Sequence, residues 1–189
     1  MRISAKAMKK GMVRKMQKDR NFILIGYMGS GKSTIGKKAA KAFDYRFVDT
    51  DVCIEEQEGC TISELFAKKG EAYFRNCETE LIKRLLSEPK GMVIATGGGL
   101  PVRPENAAVL KRLGTVVYLK TELDTLVRRL SGDTKRPLLS DGDLRGKIKS
   151  MLETRGPIYE AAADLCIATD SMSFYEMIGA IEKAGEPFL

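Results

Sequence analysis

The chain has no histidine and no tryptophan among its 189 residues. Without imidazole there is no Ser-His-Asp or Cys-His catalytic unit, no histidine-ligated zinc and no imidazole general base. Any proton moved in the chemistry must pass through Asp, Glu, Lys, Tyr, Cys or solvent. Cysteine is scarce: the four stand at 53, 60, 77 and 166, and no two have C-x-x-C spacing. A metal or redox motif is therefore not supported, and they read as small apolar or surface residues in a reducing cytosol. No apolar run approaches the roughly 20 residues needed to cross a bilayer. The N-terminal segment also lacks the apolar stretch of a secretory signal. The expected location is the cytoplasm.

An excess of one charge sign exists, but it is confined. The net charge is +7, and residues 1–20 hold eight basic groups (Arg2, Lys6, Lys9, Lys10, Arg14, Lys15, Lys18 and Arg20) against one acid, Asp19. Of the 32 basic and 25 acidic residues, 24 of each sign are left for 21–189. A basic arm suits nucleic acid or an acidic membrane. The neutral body favours a disordered or weakly helical leader with no such partner. The leader is acid-poor like a transit peptide but has one serine, and Met8, Met12 and Met16 leave a later start open. Residues 21–189 have the length of a single domain.

Within that body, short apolar runs alternate with longer periodic stretches. The runs are Phe22–Ile25, Arg46–Val48, Met92–Ala95, Thr115–Leu119 and Leu165–Ala168. Near-continuous apolar runs are the mark of strands covered on both faces. The stretches between them carry helix starts: Thr61-x-x-Glu64 and Ser173-x-x-Glu176 are capping boxes, and Pro104 suits a first turn. The alternation predicts an α/β fold with a parallel sheet between helices.

The sharpest signal is Gly26-Tyr27-Met28-Gly29-Ser30-Gly31-Lys32-Ser33, which fits G-x-x-x-x-G-K-[ST]. An apolar strand enters it, and a helical pattern from Thr34 to Phe43 leaves it. Glycines let backbone amides turn inward around phosphates, and the following helix points its positive end at them. Lys32 is expected to reach the β- and γ-phosphates and Ser33 to ligate Mg²⁺. A dinucleotide fingerprint is a poor fit, since Gly29-x-Gly31 lacks a third glycine and leaves the lysine unexplained. There is no Asn-Lys-x-Asp guanine motif. The length suits a small-molecule kinase.

Candidates for the phosphoryl acceptor lie further on. Val48-Asp49-Thr50-Asp51 ends the second strand, so both carboxylates are expected to project together from its carboxyl end. The alternative is that one of them caps the next helix. Thr96-Gly97-Gly98-Gly99 ends the third strand with a bare backbone that a ligand can approach. Arg75 sits on a helical stretch, and Arg155 just before Pro157, which is expected to end or kink its helix. Each arginine offers a planar fork for a carboxylate. Ser131 to Leu139 breaks a helical pattern and reads as a lid, about 131–142, that carries Arg136 over the phosphates.

Taken together, these marks resemble shikimate kinases. They comprise the phosphate loop through Thr34, Asp49-x-Asp51, Phe74-Arg75 with Glu78, Gly97-Gly98-Gly99, Lys135-Arg136-Pro137-Leu138-Leu139 and Arg155-x-Pro157-x-Tyr159, in order over about residues 21–185. The resemblance implies a P-loop fold like that of nucleoside monophosphate kinases, with a five-stranded parallel sheet, a lid and an acceptor-binding subdomain at about 50–80. It implies ATP-dependent phosphorylation of the 3-hydroxyl of shikimate, on the route to chorismate and the aromatic amino acids. By the same resemblance Gly29, Ser30, Gly31, Lys32, Ser33, Thr34, Arg129 and Arg136 bind ATP, with Arg129 against adenine. Asp51, Arg75, Arg155 and the backbone of Gly97, Gly98 and Gly99 hold shikimate. Asp51, Lys32 and Arg136 are the catalytic candidates, and Ser33 and Asp49 the Mg²⁺ ligands. The expected partners are ATP and shikimate, with no nucleic acid or membrane, and the expected state is a monomer. From the residues alone, a kinase for a nucleotide or gluconate stays open, as does a catalytically silent nucleotide- or nucleic-acid-binding module.

Overall fold

The five apolar runs form β1 (Phe22–Ile25), β2 (Arg46–Asp49), β3 (Met92–Ala95), β4 (Thr115–Lys120) and β5 (Leu165–Ala168) of one sheet. The computed structural model describes residues 19–131 and 143–185. Residues 1–18 of the leader and 132–142 of the expected lid, with Arg136, lie outside the described residues. All pairings are parallel, in the order β2-β3-β1-β4-β5. The central strand β1 pairs Leu24 with Ala95 on one side and Ile25 with Tyr118 on the other. The chain therefore winds away from β1 in both directions. In open parallel sheets such a switch point leaves a crevice beyond the carboxyl ends of the strands, where ligands bind.

Both faces of the sheet are covered because alternate side chains point opposite ways. Ile23 and Ile25 pack with residues from α2 (Thr50–Glu58), α3 (Ile62–Leu85), α4 (Pro104–Leu113) and α6 (Leu144–Ala162). Phe22 and Leu24 pack with α1 (Lys32–Phe43) and α7 (Phe174–Ala184). A third apolar group joins Tyr27 to α5 (Leu123–Leu130) and Ile148 of α6. Buried Asn21 ties the opposite end of the sheet, donating to the Leu113 carbonyl at 3.0 Å and accepting from the Met92 amide at 3.0 Å.

Local start signals act as their chemistry dictates. Both capping boxes form, at Thr61 with Glu64 and at Ser173 with Glu176, and Pro104 opens α4. Gly70, at φ 80°, interrupts α3 and sets a new direction for the turns that carry Arg75 and Glu78. Two expectations change. Asp51 is not on the strand: its helix starts at Thr50, with the Asp49 side chain capping it by accepting the Asp51 amide at 3.2 Å. Of the two readings of Pro157, the one in which it ends its helix is excluded, since α6 continues to Ala162, where Tyr159 and Ala162 are buried. Cys53, Cys60 and Cys77 are half-buried and Cys166 exposed, all as free thiols.

Candidate functional site

The phosphate loop leaves β1 and runs into the switch-point crevice. Gly26, at φ 144°, lies so close to β4 that a Cβ there would come within 2.8 Å of the Leu119 carbonyl. Gly31, at φ 93°, caps α1 in a backbone state that other residues rarely adopt. The open amides of the first turn of α1 then face the crevice, where the helix dipole favours an anion. Lys32 is buried, and its Nζ donates to the carbonyls of Gly26 at 2.9 Å and Tyr27 at 2.8 Å. The cleft has a volume of about 690 Å³, and its walls include Gly29, Ser30, Gly31, Lys32, Ser33 and Thr34. Arg129, from the last turn of α5, closes one side by donating to the Gly29 carbonyl at 2.9 Å. Thr169 and Phe174, beyond β5, also line it.

The carboxylates stand across from the loop. The Ser33 hydroxyl donates to Asp49 Oδ2 at 2.7 Å, which joins α1 to the end of β2. Asp49 and Asp51 both line the cleft although only one lies on the strand. Asp51 then leads into a second group. A Cβ on Gly97 would fall 2.6 Å from Asp51 Oδ1 and 2.7 Å from Glu78 Oε1, so the two carboxyl groups converge on that glycine. A Cβ on Gly99 would strike the Arg75 guanidinium at 2.3 Å. The bare backbone of Gly97 to Gly99 is what lets these three charged groups gather.

Arg75 is held in place by its own helix. Nη1 donates to Glu78 at 2.8 Å, and Nε and Nη2 to Glu71 at 3.1 and 2.8 Å. Glu78 is fully buried, and its Oε1 has no hydrogen-bond partner among the described residues. Burial pushes its carboxyl up from 4.5 to about 7; Arg75 pulls it back and Asp51 adds to the rise. Arg155 stands on α6 one turn before Tyr159, whose hydroxyl donates to the Gly98 carbonyl at 2.5 Å.

The structure thus gathers Asp49, Asp51, Gly98 and Arg129 with the phosphate loop in one cleft, and sets Arg75, Gly97, Gly99 and Arg155 beside it. Arg136 lies outside the described residues. Three residues here went unassigned in the sequence: Glu78, Tyr159 and Thr50, whose hydroxyl accepts the Gly97 amide at 2.9 Å. Glu78 and Tyr159 had a signal, since they follow Arg75 and Arg155 by three and four residues on helices, where side chains are neighbours. Thr50 had none.

Sheet order, phosphate loop and cleft define a P-loop phosphotransferase of the nucleoside-monophosphate-kinase-like type. A profile of the shikimate kinase family matches residues 28–184. A shikimate kinase from Persephonella marina is 46% identical over 162 residues, covering 86% of this chain and 96% of that one. One from Legionella pneumophila (strain Corby) is 45% identical over 166 residues, covering 88% and 94%. The solved shikimate kinase from Acinetobacter baumannii in complex with shikimate superposes with a TM-score of 0.81 at 36% identity, covering 87% of this chain and 91% of that one. The chain belongs to the shikimate kinase family, whose members transfer a phosphoryl group from ATP to shikimate.

Proposed function

We propose that the cleft transfers the γ-phosphoryl group of ATP to the 3-hydroxyl of shikimate, with the residue roles that follow. The reading is carried by the convergence of Asp51, Glu78 and Arg75 on Gly97 to Gly99, next to the phosphate loop. Shikimate is a carboxylate with several hydroxyls, so it calls for a carboxylate to accept from the hydroxyls and arginine forks for the anionic end. A nucleotide base would need neither. Arg75, Arg155 and the glycine backbone hold the carboxylate, and Asp51 orients the 3-hydroxyl.

The amides of the phosphate loop and Lys32 offset charge on the phosphates, and Arg129 borders the nucleotide. Arg136, from the lid segment, adds positive charge at the phosphoryl group. Phosphoryl transfer is loose, so positioning and charge do most of the catalysis. Asp51 takes the hydroxyl proton as the new bond forms, a role that no histidine in this chain can fill.

The donor set fits Mg²⁺. Ser33 and Asp49 present hard oxygens 2.7 Å apart at the loop, and Mg²⁺ takes one or two protein oxygens plus water and substrate phosphates. Bound with ATP, the ion would draw charge from the β- and γ-phosphate oxygens. No helix among the described residues is long and apolar enough to cross a membrane; a cytoplasmic, monomeric enzyme is part of the proposal.

The test is ADP release from Mg-ATP with shikimate, gluconate or AMP added in turn. The reading requires turnover with shikimate and little with the others. Faster turnover with gluconate or AMP would overturn it.

A further inference from the structure

Tyr159 is completely buried, yet its hydroxyl reaches the glycine backbone of the site. It donates to the Gly98 carbonyl at 2.5 Å, and it lies one turn along α6 from Arg155, whose charge draws its pKa down against the larger effect of burial. A tyrosine hydroxyl has one proton to give, and here it is given to Gly98. Burial, the largest influence on this phenol, pushes its pKa up to about 12, so the donor is retained at any working pH.

The consequence lies on the far side of the peptide bond. The carbonyl of Gly98 and the amide of Gly99 belong to one planar trans unit and point in opposite directions. Fixing the carbonyl therefore fixes the amide. No other hydrogen bond from a described residue reaches that plane, and glycine has no side chain and turns cheaply. The neighbouring units are held differently: the Gly97 amide donates to Thr50 at 2.9 Å, and the Gly97 carbonyl accepts from Leu100 at 3.1 Å. The amides of Gly98 and Gly99 carry no hydrogen bond to a described residue. Arg75 lies against Gly99, and Gly98 abuts the phosphate loop, where a Cβ would come 3.4 Å from the Gly26 carbonyl.

We infer that Tyr159 is a positioning residue for the acceptor: by holding the Gly98 carbonyl, it aims the Gly99 amide at the carboxylate that the Arg155 fork receives. It touches no substrate itself. The inference rests on the proposal that Arg155 and the glycine backbone hold the shikimate carboxylate. It adds the residue that orients the backbone donor.

The test replaces the hydroxyl and keeps the ring. Tyr159→Phe is expected to raise KM for shikimate about tenfold, the scale of one lost hydrogen bond to a charged or aligned group, with KM for ATP unchanged. Equal changes in both KM values, or none, would overturn the inference. A second measurement uses the unaltered chain and does not depend on a variant that folds. In an NMR titration with shikimate, the Gly99 amide proton is expected to move downfield as it gains a carboxylate acceptor. An unmoved Gly99 resonance at saturation would also overturn it. Absence of shikimate turnover in the unaltered chain would instead sink the functional reading itself.

Discussion

Arg75 divides its guanidinium between Glu71 and Glu78, so its fork is aimed before any ligand arrives. Arg75→Lys keeps the charge and loses the fork. KM for shikimate is expected to rise roughly 10- to 150-fold, equivalent to about 1.5–3 kcal/mol, with KM for ATP little changed. Steady-state kinetics with each substrate varied distinguishes this from a global effect, which raises both. The two aspartates should part in the same kind of assay. Asp49→Asn is expected to raise the Mg²⁺ requirement, and Asp51→Asn to lower kcat by about 10²-fold or more. Rescue of Asp51→Asn by extra Mg²⁺, with shikimate affinity intact, would reverse the two assignments. Glu78 gives a pH signature. Its carboxyl stands at about 7 when folded against 4.5 when free, so the folded protein keeps a proton that the unfolded chain has released. That contribution is full below pH 4.5 and fades as pH rises through 7, an effect on the order of 3 kcal/mol. Thermal stability should fall across that window, and the slope should flatten in Glu78→Gln. The identity of the charged residues was legible in the sequence, but the meeting of Asp51 with Glu78 was not. They lie on different helices and meet only where Gly97 leaves room.

At the scale of elements, β1, β3 and β4 were readable because burial on both faces leaves no polar alternation to confuse with anything else. Capping boxes and Pro104 marked helix starts for equally local reasons. At Asp49 a local signal decided between the two readings left open, since its side chain caps a helix that starts at Thr50. At α6 tertiary contact weighed against the local preference, since the helix passes Pro157 to Tyr159 and Ala162, which are buried. The last turn of α5 carries its own prediction. Arg129 reaches the Gly29 carbonyl from there, so it steadies the loop as well as lining the cleft. Arg129→Ala is expected to raise KM for ATP about 5- to 10-fold, the scale of one charge-assisted hydrogen bond. KM for shikimate should stay close to that of the unaltered chain, and a matching rise in it would contradict this role.

For the whole molecule, the charge imbalance and the chemistry occupy different parts of the chain. Every assigned group lies beyond residue 20, and the body carries no net charge. Arg20 nevertheless belongs to the domain, since its carbonyl accepts the Gly91 amide at 3.0 Å. Removal of residues 1–18 is therefore the cleaner cut. It should leave kcat/KM for both substrates nearly unchanged, and a large loss in a folded truncated chain would give the leader a catalytic role. The strand order also bears on synthesis. The central strand is the first to leave the ribosome, yet its partners end at Ala95 and Lys120. At about 5–20 residues per second, the wait for the first of them is on the order of 4–14 seconds. Through that time Phe22-Ile23-Leu24-Ile25 has no sheet to join, which makes the nascent chain a natural client for chaperones that shield apolar segments.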